Sequence, residues 1–173
     1  LDGGTGVDQL VGGLGNDTYY IDSRADRIQE LVGQGIDLVI TTASFTLPSN
    51  VENLTLLGDG DFSLGGNSLD NHLIGNSGAN ILAGGLGVDL LEGGLGDDIY
   101  VLNDDLDTII DTGGIDTIRS SLSIELLENI ENGDLVGIAN NTITGNGQDN
   151  ELQGNMGDNT IDGRGGQDTL TGG

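Results

Sequence analysis

The chain has 173 residues, of which 33 are glycine and one is proline, and aromatic residues make up 3%. Four Lys and Arg residues against 29 Asp and Glu give a formal net charge of −25, which argues against nucleic acid and anionic membranes as partners. With no cysteine and one histidine, neither a zinc site nor a nucleophile–histidine triad can be assembled. No apolar run approaches the roughly 20 residues of a membrane helix, so membrane insertion is not expected.

The chain begins with two nine-residue motifs, residues 3–11 and 12–20, that carry the same residue types in the same places. Glycine stands at places one, two and four, aspartate at place six and a large apolar residue at place eight. Glycine permits backbone angles that side chains forbid, so the loop can turn carbonyl oxygens toward one point, where aspartate adds a carboxylate. Such a loop suits a hard cation such as calcium. The candidate ligands are Gly3, Gly4, Gly6, Asp8, Gly12, Gly13, Gly15 and Asp17.

The nine-residue register persists where the glycines stop. Asp26 falls at place six of residues 21–29 and, after two extra residues, Asp37 falls at place six of the next unit. An apolar residue follows each of them two positions later. Both aspartates are therefore further candidate ligands. Residues 41–57 contain β-prone runs on either side of Pro48, which predicts two longer strands with a turn.

Two further motifs stand back to back at residues 84–101. They follow two units in which asparagine takes place six, as Asn71 and Asn80. In the back-to-back motifs Leu91 and Tyr100 occupy place eight, from which they can point into a core if places seven to nine form a strand. These motifs add Gly84, Gly85, Gly87, Asp89, Gly93, Gly94, Gly96 and Asp98 to the candidate ligands.

The tandem GGxGxD motifs at residues 84–101 resemble the calcium-binding nonapeptide repeat of RTX (repeats-in-toxin) proteins, the haemolysin-type repeat. The resemblance implies a bacterial protein that is exported by a type I system and folds outside the cell. Extracellular calcium modules bind the ion at about 0.1 to 1 mM. The resemblance also implies a larger parent, such as a protease, lipase, alginate epimerase, toxin or adhesin, in which this segment is a folding and spacer module.

The second half of the chain replays the first. The separation between Asp17 and Asp98 equals the separation between Asp26 and Asp107. The separation between Asp37 and Asp116 is slightly smaller, because the second copy lacks the two extra residues. The replay and the tail thus add Asp107, Asp116 and Asp168 to the candidate ligands. A second longer strand segment is expected at residues 120–136. We predict one module over residues 1–173, built from two tandem copies at 3–83 and 84–162, with the start of a third at 163–173.

Short strands that recur with each nonapeptide predict an all-β fold, a parallel β-roll (a right-handed β-solenoid) with the two longer strand segments between its nonapeptide blocks. With two motifs per coil, motifs two apart lie one above the other. The facing pairs are then Asp8 with Asp26, Asp17 with Asp37, Asp89 with Asp107, and Asp98 with Asp116. Carboxylates about 4 Å apart repel by about 4 kcal/mol at an effective dielectric constant of about 20. We therefore expect several bound Ca²⁺ ions, about four of them at strong sites, and a chain largely unfolded without calcium.

The asparagine places leave two alternatives open. The amide oxygen could complete a weaker calcium site where asparagine faces aspartate. Alternatively, the asparagines stack in hydrogen-bonded ladders without metal. The pairs concerned are Asn71 with Asp89, Asn80 with Asp98, and Asn150 with Asp168.

Two functions stay open as well. The first is a calcium-binding structural module that acts as scaffold, spacer and secretion aid. The second is a calcium-dependent adhesive or glycan-binding surface of a large RTX adhesin or extracellular enzyme. No catalytic residue is predicted, so this segment is not expected to be an enzyme, whereas its parent could carry a catalytic domain. Calcium ions, and for the second function a glycan or cell-surface partner, are the expected ligands of a secreted or cell-surface monomer.

Overall fold

The structure, a computed structural model, describes residues 1–103 and 106–173. Its strands are short and mostly begin at place seven of a unit, directly after the aspartate or asparagine, because the apolar residue at place eight points inward while its neighbours point out. In chain order they are β1 (Gln9–Val11), β2 (Thr18–Ile21), β3 (Arg27–Gln29), β4 (Leu38–Thr41), β5 (Phe45–Thr46), β6 (Asn53–Leu56), β7 (Ser63–Gly65), β8 (His72–Ile74), β9 (Ile81–Ala83), β10 (Leu90–Glu92), β11 (Ile99–Leu102), β12 (Thr108–Ile110), β13 (Thr117–Ser120), β14 (Ile124–Glu125), β15 (Asn132–Leu135), β16 (Thr142–Thr144), β17 (Glu151–Gln153), β18 (Thr160–Asp162) and β19 (Thr169–Thr171).

Every strand pair in the described residues is parallel and joins a strand to the one two further along the chain. Odd-numbered strands therefore form one side of the roll and even-numbered strands the other, with two motifs in each coil. The regular coils advance by the length of two motifs, as in the register of Leu90 with Thr108. This arrangement confirms the parallel β-roll predicted from the nonapeptide repeat. None of the described residues lies in a helix long and apolar enough to cross a membrane.

Each side of the roll is interrupted once. On the odd side β1 and β3 form a separate two-stranded sheet, and an eight-stranded sheet runs from β5 to β19. On the even side a six-stranded sheet ends at β12, and β14, β16 and β18 form a three-stranded sheet. The first break follows the odd-numbered strand β3 and the second follows the even-numbered strand β12, so the two breaks lie on opposite sides of the roll. Descent of the two halves from one duplicated unit stays a prediction.

The two longer strand segments continue the winding. In residues 41–57 strand β5 has two residues and pairs with β7, while β6 has four residues and lies between β4 and β8. The segment differs from the motifs in spacing, because Leu38 pairs with Asn53, which makes this coil shorter than two motifs. The pair of longer strands with a turn expected here is thus one irregular coil of the roll. The β-prone residues fit both arrangements, and only the pairing partners distinguish them.

The core is built mainly from the place-eight side chains, which stack above one another on each side of the roll. Leu54, Leu73 and Leu91 are fully buried on the even side. Leu82 and Tyr100 are fully buried on the odd side. Burying one large apolar side chain per unit contributes about 2 to 3 kcal/mol. The core is therefore a thin line of side chains between two sheets, and the loops at both edges carry the polar groups.

Candidate metal centres

The three glycines of a motif are required for two different reasons. At places two and four the backbone is left-handed, with φ of +105° at Gly85 and +123° at Gly87, a region that side chains disfavour. At place one the constraint is space, because a Cβ on Gly84 would overlap the Asp89 side chain. Glycine therefore lets the carboxylate fold over its own turn. The same two roles recur at Gly3, Gly4, Gly6, Gly12, Gly13, Gly15, Gly93, Gly94 and Gly96.

The four aspartate pairs predicted from the sequence face each other one coil apart. Oδ1 of Asp116 accepts a hydrogen bond from the backbone N–H of Asp98 at 2.7 Å. The same bond joins the N–H of Asp17 to Oδ1 of Asp37 at 2.8 Å. The equivalent bonds run from Asp8 to Asp26 at 3.1 Å and from Asp89 to Asp107 at 3.0 Å. One oxygen of each later carboxylate is therefore engaged by the backbone of the coil before it.

A second set of carboxylate oxygens is buried without any hydrogen-bond donor. These atoms are Oδ2 of Asp8, Asp17, Asp37, Asp98 and Asp116, and Oε2 of Glu30. A buried charged acceptor without a partner is strongly unfavourable in an empty protein interior. Carboxylate oxygens are the ligands that calcium prefers, so this donor set fits a hard divalent cation. Bound there, calcium would supply the positive charge that the side chains lack. The glycine carbonyls proposed as further ligands stay predictions.

A third carboxylate joins two of the four pairs. We call Asp17, Glu30 and Asp37 the first three-carboxylate cluster, and Asp98, Asp111 and Asp116 the second. In each cluster the three residues offer oxygens that lie within 4.8 Å of one another. The sequence pattern missed Glu30 and Asp111 because neither belongs to the motif. The signal was nevertheless present, since Asp111 follows Glu30 at the same separation at which Asp98 follows Asp17.

A buried tyrosine holds the third carboxylate in each cluster. The Tyr100 hydroxyl donates to Oδ2 of Asp111 at 2.5 Å and accepts the N–H of Gly93 at 3.0 Å. The Tyr19 hydroxyl likewise donates to the Glu30 carboxylate. Burial first, and then the hydrogen bond to the neighbouring carboxylate, raise the pKa of both tyrosines. Both hydroxyls therefore stay protonated at neutral pH and act as donors.

Three carboxyl groups of the clusters, those of Asp37, Asp98 and Asp116, have a raised pKa and resist ionisation. Burial raises the pKa of Asp98 to about 6 and that of Asp116 to about 7. A backbone hydrogen bond opposes each shift, and the negative charge of Asp111 adds to both. Burial likewise raises the pKa of Asp37, beside Glu30. The protein around the clusters therefore does not stabilise the charged form of these carboxyl groups. A bound cation would stabilise it.

The asparagine coils are closed by amide groups. Oδ1 of Asn71 accepts the N–H of Asn67 at 2.7 Å, and its Nδ2 donates to the carbonyls of Val51 and Glu52 at 3.2 Å. No residue of 66–83, all of which the structure describes, has a positive φ, so these turns lack the backbone of the GGxGxD loops. The Asn71 amide N–H group donates hydrogen bonds to carbonyl oxygens of the preceding coil, and so takes the place that a cation would take beside them. This arrangement favours the metal-free alternative.

Two glutamates take the role of the place-six aspartate where the coil is shorter. Oε2 of Glu52 accepts the N–H of Asp37 at 2.8 Å, and Oε2 of Glu131 accepts the N–H of Asp116 at 2.9 Å. The longer side chain suits these shortened coils, in which the facing residue comes earlier than two motifs on. A search at the spacing of two motifs therefore misses both. Asp168 accepts the N–H of Asn150 at 3.0 Å and thus faces an amide.

A parallel β-roll whose GGxGxD loops bring carboxylates of successive coils together is a calcium-binding repeat architecture. The chain belongs to the family of the RTX calcium-binding nonapeptide repeat, which matches residues 1–20, 65–100 and 136–170 in four copies, more than half of the chain. The match confirms the family resemblance drawn from the motifs. It breaks off at residues 20 and 100, so Glu30 and Asp111 lie outside the matched segments.

Two curated proteins of Rhizobium meliloti (strain 1021) share part of the chain. Endo-1,3-1,4-beta-glycanase ExsH is 47% identical over 62 residues, and endo-1,3-1,4-beta-glycanase EglC is 40% identical over 62 residues. Each alignment covers 36% of this chain and 13% of the relative, so the chain matches only a small part of either protein. No solved structure matches the chain.

Proposed function

We propose that the chain is a calcium-dependent folding and spacing module of a secreted bacterial protein. The observation that supports it best is the set of buried carboxylate oxygens without a donor at the loop edges of the roll. At a net charge of −25, closing the coils brings like charges together unless cations join them. Calcium is scarce inside cells and plentiful outside, so the same chemistry delays folding until export.

The energetic contribution of calcium is comparable to the stability of a whole domain. At 100 times its dissociation constant the ion adds about 2.7 kcal/mol per site, or roughly 11 kcal/mol for four independent sites. A typical domain is stable by about 5 to 15 kcal/mol. Ordering each residue of the backbone costs about 1 to 2 kcal/mol, and the thin core offsets only part of that cost. The coils should therefore form only when the sites are filled.

Far-UV circular dichroism during an EGTA titration tests this function. We expect the strand signal to collapse as calcium is removed and to return when it is added in excess. Magnesium at the same concentration serves as control, because it demands near-octahedral geometry and keeps its waters. A strand spectrum that is unchanged in EGTA would refute the proposal.

Secretion and the parent protein belong to the same proposal. The family and the two glycanases named above suggest an extracellular bacterial protein that carries this module beside a functional domain. The aligned segment is 13% of each relative, so the glycanase activity in the relatives' names is not assigned to these coils. A catalytic activity would belong to another part of the parent protein. Within the roll we place no catalytic residue. Four strong calcium sites, at the four aspartate pairs, are proposed.

A second function, binding of an acidic glycan, is favoured by the groove at the break between β3 and β5. The groove measures about 540 Å³, and Arg24, Arg27 and Phe45 line it. It thus holds two of the four basic residues of a strongly acidic chain. The equivalent positions at the second break carry Thr108 in place of Arg27 and Ile124 in place of Phe45. Among the residues that the structure describes, the first break therefore stands alone in combining arginines and an aromatic ring in one groove, the chemistry that suits a uronic-acid sugar.

Affinity electrophoresis in calcium tests the glycan function. We expect alginate or polygalacturonate in the gel to retard the chain and a neutral β-glucan not to. The double substitution of Arg24→Ala and Arg27→Ala should abolish the retardation. The control is Arg119→Ala, which removes an arginine paired with Asp134 elsewhere. Equal migration with and without acidic polysaccharide would dismiss this function.

A further inference from the structure

We propose that Glu30 and Asp111 are third carboxylate ligands, which make the two three-carboxylate clusters a separate class of tight sites for a hard, highly charged cation. This inference rests on the calcium-binding function proposed above. It goes beyond the nonapeptide motif, which supplies one carboxylate per unit and contains neither residue. The roll then holds two kinds of site, with two carboxylates or with three.

The geometry of the clusters favours a third ligand. Glu30 is 6% exposed, and its Oε2 lies buried without a donor, within a group whose oxygens all lie within 4.8 Å of one another. In the second cluster Asp98 and Asp116 are fully buried, and Oδ2 of each lacks a donor. None of the ion pairs found among the described residues involves an acid of either cluster. A cation is the partner that this arrangement lacks.

Two positions of the repeat vary together. At the three-carboxylate clusters, place eight is a tyrosine, and the residue thirteen positions after the first aspartate is an acid. At the other two pairs both positions are apolar. Leu10 goes with Ile21 beside Asp8, and Leu91 goes with Leu102 beside Asp89. Tyrosine and acid thus occur together and are absent together, as expected if the hydroxyl exists to hold the acid.

The third carboxylate is also held rigidly. The Tyr100 hydroxyl fixes one oxygen of Asp111, and the N–H of Gly113 fixes the other at 2.7 Å. Held in this way, the carboxylate loses little freedom when an ion binds. Calcium affinity in proteins rises with the number of charged ligands and with the rigidity of the site. The two clusters should therefore fill before the two-carboxylate sites and should prefer a trivalent over a divalent ion.

Tyrosine-sensitised terbium luminescence tests the proposal, since Tb³⁺ replaces calcium at oxygen sites and the chain has no tryptophan. The Tyr19 and Tyr100 hydroxyls bond directly to the third carboxylates, so an ion bound in either cluster lies beside a sensitising tyrosine. We expect emission to saturate at lower Tb³⁺ than the strand signal in circular dichroism does. Combining Glu30→Gln with Asp111→Asn should raise the half-saturating Tb³⁺ concentration by about tenfold.

The controls separate this inference from the proposed function. Glu151→Gln removes the same charge at an exposed position of β17 and should leave the half-saturating concentration unchanged. If the double variant does not fold in calcium, Glu30→Gln alone leaves the second cluster intact and should halve the tight sensitised emission. Half-saturation within twofold of the unmodified chain in the double variant, or no sensitised emission from the unmodified chain, overturns the third-ligand role. Failure of the strand signal to depend on calcium would instead overturn the proposed function.

Discussion

At the scale of single residues, the loops require glycine at positions where a Cβ atom would overlap a neighbouring side chain. Gly93 shows this most clearly, because a Cβ there would overlap both the Tyr100 hydroxyl and the Asp98 carboxylate. The place-one glycine is therefore what allows a carboxylate and a phenol to meet the backbone at one point. A glycine elsewhere in the roll need not have this role, and Gly147 has open space where its Cβ would lie.

Gly93→Ala should accordingly destabilise the calcium-bound fold by about 1 to 3 kcal/mol, the usual cost of forcing extra atoms into packed surroundings. The free energy of unfolding from urea denaturation in saturating calcium measures it. Gly147→Ala is the matched control and should change the stability by less than about 0.5 kcal/mol. Equal stability of the two variants would show that the place-one glycine is dispensable.

The raised pKa values of Asp98 and Asp116 predict how the calcium-free chain responds to pH. A carboxyl whose pKa is higher in the fold than in the unfolded chain stabilises the fold at low pH, and that contribution is lost as the pH rises from the unfolded value through the folded one. Here the folded pKa is about 6 for Asp98 and about 7 for Asp116. In the absence of calcium the strand signal should therefore be stronger near pH 5 than near pH 8.

Circular dichroism of the chain in buffers from which calcium has been removed checks the pH dependence across this range. Asp116→Asn imitates the protonated carboxyl and should give a stronger strand signal near pH 8 than the unmodified chain. In calcium the dependence reverses, since protons compete with the ion for the same oxygens, and apparent calcium affinity should fall below about pH 7. An identical strand signal at both pH values without calcium would contradict the burial of charge described for the clusters.

At the scale of the coil, the roll combines two ways of closing a turn. GGxGxD loops leave carboxylate oxygens for a cation, whereas asparagine coils satisfy their own backbone. Asn150 illustrates the second kind, since its Oδ1 accepts the N–H of Asn146 at 2.8 Å and its Nδ2 donates to the carbonyl of Glu131 at 3.1 Å. Coils of the second kind should contribute stability without contributing a calcium site.

Asn150→Ala should therefore lower the stability of the calcium-bound fold by about 1 to 3 kcal/mol, because it leaves buried backbone groups without partners. It should not change the number of calcium ions bound. Asp98→Asn should instead reduce that number by one. Isothermal titration calorimetry gives the ion count, and urea denaturation gives the stability. Loss of an ion on replacing Asn150 would show that asparagine coils do bind calcium.

At the scale of the whole molecule, the sequence predicts most of the architecture and part of the sites. A period of nine with an apolar place eight is enough to predict parallel coils, and Leu91 and Tyr100 are buried as that pattern requires. The break between β3 and β5 could not be predicted, because it depends on which strands find partners. Glu30 was missed for a different reason, because it lies outside the nine-residue motif, although Asp111 repeats its position in the second half of the chain.

Carboxylates of successive coils should share a calcium ion, and the calcium-dependent folding proposed for the roll depends on that sharing. Crystals grown in millimolar calcium test it most directly, through the anomalous signal and electron density between the facing side chains. We expect one ion at each of the four aspartate pairs, with Glu30 and Asp111 contacting theirs, and none at Asn71. Intact coils with no ion between Asp98 and Asp116 would contradict calcium-dependent closure of the roll.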